Sequence, residues 1–247
     1  MNHALKAPLA RIALASSTLV LAAAAHAVEI GPAPTEASLT ATAGPFATAS
    51  AKVATPNTYG LGIVWYPTAA GQYGLVVVSP GFTESEKAIN WWGPRLASHG
   101  FVVVTMGTKS VFDQPESRGK QMMAALKQVA GLNATGPFAG KIDTTKQAVA
   151  GHSMGGGGTL AAARDNPSLK AAIPLAPWHT IKDFSSVKVP TLVVACEKDI
   201  IAPVRSHAQK FYDSMSAATP HAILELVGED HFGVNSNTVA GNKAVNG

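Results

Sequence analysis

The sequence predicts an α/β domain in which a mostly parallel central sheet is flanked by helices. Three observations lead there. Several runs, Gly74-Leu75-Val76-Val77-Val78-Ser79 and Phe101-Val102-Val103-Val104-Thr105 among them, are β-rich with no polar face, so they need cover on both sides. Stretches with helical spacing alternate with such runs along nearly the whole chain, and that alternation calls for parallel strands joined by right-handed crossovers. No internal repeat or linker breaks the pattern, so residues 28–247 read as one domain.

The elements follow in order. Val28 to Ala49, rich in Ala, Thr, Pro and Gly, reads as a loose arm leading to an edge strand. Gly62 to Pro67 is a strand stopped by proline, and Gly74 to Ser79 a buried one broken by Pro80-Gly81-Phe82-Thr83. Ala88 to His99 has a helical pattern with Gly100 as its stop. After the Phe101 strand, Asp113 to Arg118 reads as a capped helix start, continuing through Met122, Met123, Leu126 and Val129 at helical spacing. Gln147 to Ala150 is a short strand that empties into Gly151-His152-Ser153-Met154-Gly155-Gly156-Gly157-Gly158 and an Ala-rich helix. Strands at 171–175, 190–196 and 222–227 follow, with a helix around Pro203 to Met215.

Residues 1–27 read as a secretory signal peptide: Lys6 and Arg11 precede the apolar Ile12 to Ala25, and Ala25-His26-Ala27 gives the cleavage pattern. The apolar part is too short for a membrane anchor. Setting Lys6 and Arg11 aside lowers the formal charge from +4 to +2, with scattered Lys and Arg, which argues against nucleic acid as a partner. The single cysteine, Cys196, at a strand end, reads as a buried, inert small hydrophobe. One cysteine with no Cys/His cluster builds neither an intramolecular disulfide nor a structural zinc site.

Chemistry enters at Gly151-His152-Ser153-Met154-Gly155. Strand, sharp turn and helix are the context of a G-x-S-x-G nucleophile elbow, which lifts a serine hydroxyl above the sheet in the α/β-hydrolase fold. Three fixed residues of roughly 7% frequency arise by accident in about one chain of this length in ten, so the neighbours must carry the argument. They do so through chain order: serine, then acid, then histidine, each after a later strand. The 190–196 strand empties into Glu197-Lys198-Asp199, and the 222–227 strand into Gly228-Glu229-Asp230-His231. Ser153 is thus the expected nucleophile, His231 the base and Asp199 the acid that fixes the imidazole tautomer. Glu197, Glu229 and Asp230 compete for the acid's role; Asp199 is preferred because it lies just past its strand end. The N–H groups of Met154 and Phe82 are the expected oxyanion donors. His179, on an upper loop, is expected to border the cleft, and His207 and His221 to be solvated.

These residues resemble a family. Trp91-Trp92-Gly93-Pro94-Arg95-Leu96-Ala97-Ser98-His99-Gly100-Phe101-Val102-Val103, the Gly151–Gly158 stretch, Leu169-Lys170-Ala171-Ala172-Ile173-Pro174 and Ile201-Ala202-Pro203-Val204 together look like the secreted bacterial cutinase and poly(ethylene terephthalate) hydrolase family. The similarity runs from about residue 35 to the end. It implies a lidless α/β-hydrolase cleft acting on insoluble polyesters or small esters, without metal or organic cofactor, in a monomeric secreted enzyme that enters no membrane. It makes Ser153, Asp199 and His231 the triad and Phe82 and Met154 the oxyanion donors. Trp178 matches the aromatic that stacks on substrate, with Phe82 opposite, and Ile200 and Ile201 match the apolar lining of the cleft. His152 and Phe232, beside the nucleophile and the base, match ordinary cutinases where the subgroup most associated with PET has Trp and Ser. Cys196 matches a half-cystine of that subgroup, but its partner position is Gly233, so the cross-link is expected to be absent and the His231 loop looser. The family also continues past Gly247 with a long helix, so a C-terminally shortened chain with exposed apolar sheet surface is expected. The alternative is a catalytically impaired domain of the same fold that binds a hydrophobic surface or partner; a peptidase is disfavoured because no charged group waits for a peptide terminus.

Overall fold

The computed structural model describes residues 35–54 and 57–236. The leader read at 1–27 and the chain end lie outside them. All the elements below belong to one compact unit, Glu36–Gly247.

Eight strands form one sheet in the order β1-β2-β4-β3-β5-β6-β7-β8. They are β1 (Thr48–Val53), β2 (Gly62–Pro67), β3 (Tyr73–Ser79), β4 (Phe101–Met106), β5 (Ile142–His152), β6 (Ala171–Leu175), β7 (Thr191–Cys196) and β8 (His221–Leu226). β2 runs antiparallel to β1 and β4, and every pairing from β4 through β8 is parallel. This is the α/β-hydrolase arrangement that the apolar runs predict. Parallel neighbours require crossovers, and the helices supply them: α2 (Trp92–Ser98), α3 (Pro115–Gly131), α4 (Met154–Asp165) and α5 (Ala208–Ser214), after a single-turn α1 (Glu36–Thr40) within the stretch expected to be a loose arm.

The larger core lies on one face, where Val77, Val104, Val149, Val193 and Ala195 meet Met122, Leu126 and Val129 of α3, Leu160 of α4 and Phe211 of α5. On the other face Val76, Val78, Val103 and Ala150 pack with Ile89, Trp92 and Leu96. Farther along, the strand alternation of β7 and β8 turns Leu192 and Leu224 away from the larger core, and they stand 38% and 49% exposed.

Three elements depart from the sequence pattern, each for a local reason. The helix expected over Ala88 to His99 is a single turn at Glu86–Ile89 followed by α2. Pro94 explains the break: it lacks an N–H and its ring clashes with the carbonyl four residues back, so a helix reaching Pro94 has to begin just before it. The helix expected around Pro203 to Met215 is interrupted at His207, whose φ −128°, ψ −90° is not helical. β5 begins five residues before the predicted strand. Its polar Asp143-Thr144-Thr145-Lys146 sits at a register shift, with Gly74 opposite Asp143 and Leu75 opposite Gln147, so the pattern of a buried strand starts only after the bulge.

Candidate active site

The turn from β5 into α4 positions the first group. Ser153 has φ 54°, ψ −116°, a left-handed backbone that costs a residue with a side chain about 1–3 kcal/mol. Close packing imposes it. A Cβ on Gly151 would lie 2.5 Å from Gly155 O, and one on Gly155 would lie 2.4 Å from Ser79 O, so strand and helix can meet here only backbone to backbone. Four consecutive glycines open α4, each about 1 kcal/mol worse than alanine for a helix. The packing beneath Ser153 offsets that cost.

The three residues expected to act together are all buried and in contact. Ser153 Oγ lies 2.8 Å from His231 Nε2, and His231 Nδ1–H donates to Asp199 Oδ2 at 2.6 Å. Asp199 Oδ1 accepts the N–H groups of Ile201 (2.9 Å) and Ala202 (2.7 Å). Burial pushes the Asp199 carboxyl up, but the hydrogen bond and charge of His231, together with those two N–H groups, outweigh it and hold the acid below the usual carboxylate range. An ionised Asp199 keeps the proton on Nδ1 and leaves the Nε2 lone pair facing the hydroxyl. None of the competing carboxylates is bonded to His231: Glu197 accepts Gly228 N–H, Asp230 accepts Phe232 N–H, and Glu229 is packed against Gly233, where an added Cβ would lie 2.6 Å from Glu229 Oε2 and 2.9 Å from its Cβ.

Above these groups lies a cleft of about 520 Å³, lined by Phe82, His152, Ser153, Ile201, His231 and Phe232 and, on one wall, by Thr83, Glu84, Ser85, Lys87 and Ala88. Phe82 and Ile201 are 42% and 48% exposed at its rim, and Ile200 is 89% exposed. The Phe82 ring meets Phe112 edge-on at 5.6 Å. Met154 and Trp178 adjoin the serine but are not among the lining side chains. Met154 is the first residue of α4, where a backbone N–H has no intrahelical acceptor. Among the described residues the Phe82 N–H also has no acceptor, whereas its neighbours Thr83 and Glu84 donate to Val111 O and Gly81 O. Trp178 N–H donates to Ser153 O, and its ring stacks on His207 at 6.1 Å between centroids. His207 is therefore half-buried between Trp178 and Phe211 rather than solvated. His179 does not border the cleft: it is buried beside Phe184, with its Nδ1 accepting Ile181 N–H.

Three residues that no motif points to complete the surroundings. Arg118 is fully buried on α3 and donates to Pro80 O (2.9 Å), Val111 O (2.8 Å) and Asp113 O (2.7 Å), tying the loop after β3 to the loop after β4. Burial pulls its guanidinium down to about 10, which leaves it charged at neutral pH. Arg118→Leu strands the buried Pro80 carbonyl, at about 1–3 kcal/mol, and the partly buried carbonyls of Val111 and Asp113, at less. The expected loss is about 3–5 kcal/mol of stability, read as a lowered urea midpoint at unchanged slope; a loss below about 1 kcal/mol would contradict this role. Glu84 and Asn235, from the loops after β3 and β8, are the other two and enclose His152. Cys196 is buried, its thiol pushed up to about 12 by burial and then by the charges of Asp199, Glu229 and Asp230, so it stays a protonated, unreactive thiol at neutral pH.

Among the described residues no three His, Cys, Asp or Glu side chains gather as metal ligands, and no helix is long and apolar enough to cross a membrane. The arrangement can deliver a serine alkoxide equivalent to an electrophile held beside two free N–H groups. Comparison with known proteins agrees with that chemistry. A family model described as PET hydrolase-like matches residues 22–246. A cutinase of Thermobifida fusca (strain YX) is 44% identical over 99% of this chain and 83% of its own length. A bis(hydroxyethyl) terephthalate hydrolase of Streptomyces coelicolor is 48% identical over 87% of this chain and 70% of its own length. Cutinase 1 of Thermobifida cellulosilytica is 46% identical over 90% and 85%.

Proposed function

Because this chain belongs to the PET hydrolase-like family, whose members are carboxylic ester hydrolases, we propose that it is a secreted serine esterase that cleaves polyester bonds through an acyl-enzyme on Ser153. Ser153 Oγ attacks the ester carbonyl as His231 Nε2 takes its proton, and Asp199 stabilises the imidazolium that forms. The carbonyl oxygen becomes an oxyanion facing the N–H groups of Phe82 and Met154. Collapse breaks the carbon–oxygen bond to the alcohol, which leaves with the proton from His231. Water then repeats the sequence with His231 as base, releasing the acid and restoring Ser153. The observation that carries this reading is the unbroken contact line Ser153–His231–Asp199, at 2.8 and 2.6 Å.

The exposed Phe82, Ile200 and Ile201 give the cleft an apolar rim suited to a solid polyester such as cutin, an aliphatic polyester or PET, as well as to small esters. His152 and Phe232 line the same cleft, and Trp178, whose N–H is bonded to Ser153 O, stands next to it. Rapid mixing with a short-chain p-nitrophenyl ester should release about one equivalent of p-nitrophenol per enzyme before the steady rate, and an organophosphonate should label Ser153. An enzyme that shows neither would leave only the impaired-domain reading.

A further inference from the structure

Glu84 has no part in that mechanism, yet it is buried at the cleft wall and bonded to three separate segments. Its Oε2 accepts Gly81 N–H at 2.6 Å, one residue before Phe82. The same oxygen lies 2.9 Å from His152 Nδ1, one residue before Ser153. Its Oε1 accepts Asn235 Nδ2–H at 2.7 Å, four residues beyond His231. The other ring nitrogen of His152 closes the circuit, donating through Nε2–H to His231 O at 2.8 Å. Each ring nitrogen of His152 thus has an oxygen within hydrogen-bond distance, and both oxygens of Glu84 are engaged, Oε2 by Gly81 N–H and Oε1 by Asn235.

A carboxylate suits this place. Burial pushes the Glu84 carboxyl up, but the hydrogen bond and charge of His152, the Gly81 N–H and the charge of His231 outweigh that and hold it below the usual range. Space enforces the contact: a Cβ on Gly81 would meet Glu84 Oε2 at 2.8 Å, Ser153 Cβ at 3.0 Å and His152 Nδ1 at 3.1 Å. Each loop that Glu84 touches carries one part of the proposed machinery: the Phe82 donor, the Ser153 nucleophile or the His231 base.

We propose that Glu84 is a positioning residue: through Gly81 N–H, His152 and Asn235 its carboxylate holds the oxyanion loop, the nucleophile turn and the His231 loop in one register. This rests on the ester-hydrolase reading above. A buried ionic hydrogen bond shared among three loops fixes geometry that no single loop could hold alone. Displacing a reacting group by about 1 Å costs on the order of 100-fold in rate, so the role is visible in turnover.

The test is Glu84→Gln, which keeps the shape but places an amide donor among N–H donors. With a soluble p-nitrophenyl ester, kcat should fall about 10- to 100-fold while KM stays within about twofold, and hydrogen exchange at 228–236 should quicken about tenfold. Glu84→Ala should lose a similar amount and recover part of it when formate is added. Should Glu84→Gln fail to fold, Asn235→Ser, which deletes the tie to Oε1 together with the longer approach of Nδ2 to His152 Nδ1 while leaving Glu84 on Gly81 and His152, should show a smaller loss confined to kcat. Unchanged kcat in Glu84→Gln, or in Asn235→Ser where that variant stands in for it, would overturn the proposal, as would a loss that raises KM and resists formate. If the parent enzyme itself gives no p-nitrophenol burst, the esterase reading falls and this one with it; a normal parent burst beside an unaffected Glu84→Gln sinks this one alone.

Discussion

Ser153→Ala is expected to lower kcat about 10⁶-fold while leaving the fold intact. The side chain contributes only its hydroxyl at a position whose backbone is set by Gly151 and Gly155, and alanine has no greater steric demand at φ 54° than serine has. Binding and oxyanion stabilisation survive, so a residual rate of roughly 10³-fold over water should remain. The measurement is steady-state turnover of a p-nitrophenyl ester, with urea unfolding as the control for structure. A variant retaining a tenth of the parent rate with unchanged stability would move the nucleophile elsewhere.

Asp199→Asn is expected to lower kcat about 10⁴-fold. The amide that replaces Oδ2 can present N–H to His231 Nδ1, which favours the tautomer with its proton on Nε2, pointing at Ser153 instead of accepting from it. Ile201 and Ala202 N–H bind Oδ1, so the amide oxygen is directed there and the amino group toward the ring. Raising the pH should recover little of the loss, because the fault lies in which nitrogen holds the proton. A second readout follows from linkage. The folded-state acid is depressed, so its contribution to stability is complete above the unfolded value near 3.9 and is lost as pH falls through the lower folded value. The parent should therefore lose more stability than Asp199→Asn as pH is lowered below about 4.

How much of this could be read from the residues depended on where each signal is stored. Parallel strands inside the sheet write themselves as apolar runs, so β3, β4, β6 and β7 were legible to within a residue or so; the antiparallel β2, stopped at Pro67, and the edge strand β8 were legible because they too are apolar and β-rich. The elbow, the chain order and the strand-end rule pointed to Ser153, Asp199 and His231. The polar half of β5 was not legible because its first residues follow a bulge rather than a core, and α2 was overextended because an apolar spacing says nothing of Pro94 closing the helix behind it. Arg118, Glu84 and Asn235 were hidden for a different reason. A single charged or amide residue in a polar stretch such as Thr83-Glu84-Ser85-Glu86-Lys87 looks solvated until tertiary folding brings its partners from elsewhere: 38 residues for Arg118 with Pro80, 68 for Glu84 with His152. Local sequence carries no trace of such pairings. Distance also misled the reading of His207, whose partner Trp178 belongs to another loop.

The fit of Glu229 against Gly233 sets an order on how this chain could change. A cysteine at 233 could complete a bond with Cys196 only after the glutamate had given up its place, since the first new carbon would fall 2.9 Å from the Glu229 Cβ and not merely against its mobile end. The two positions are epistatic: Gly233→Cys alone should be a loss, and because alanine at 229 would keep the Cβ that a side chain at 233 meets, only Glu229→Gly clears the place for it. A lineage holding this glutamate therefore cannot reach the cross-linked form by one favourable step.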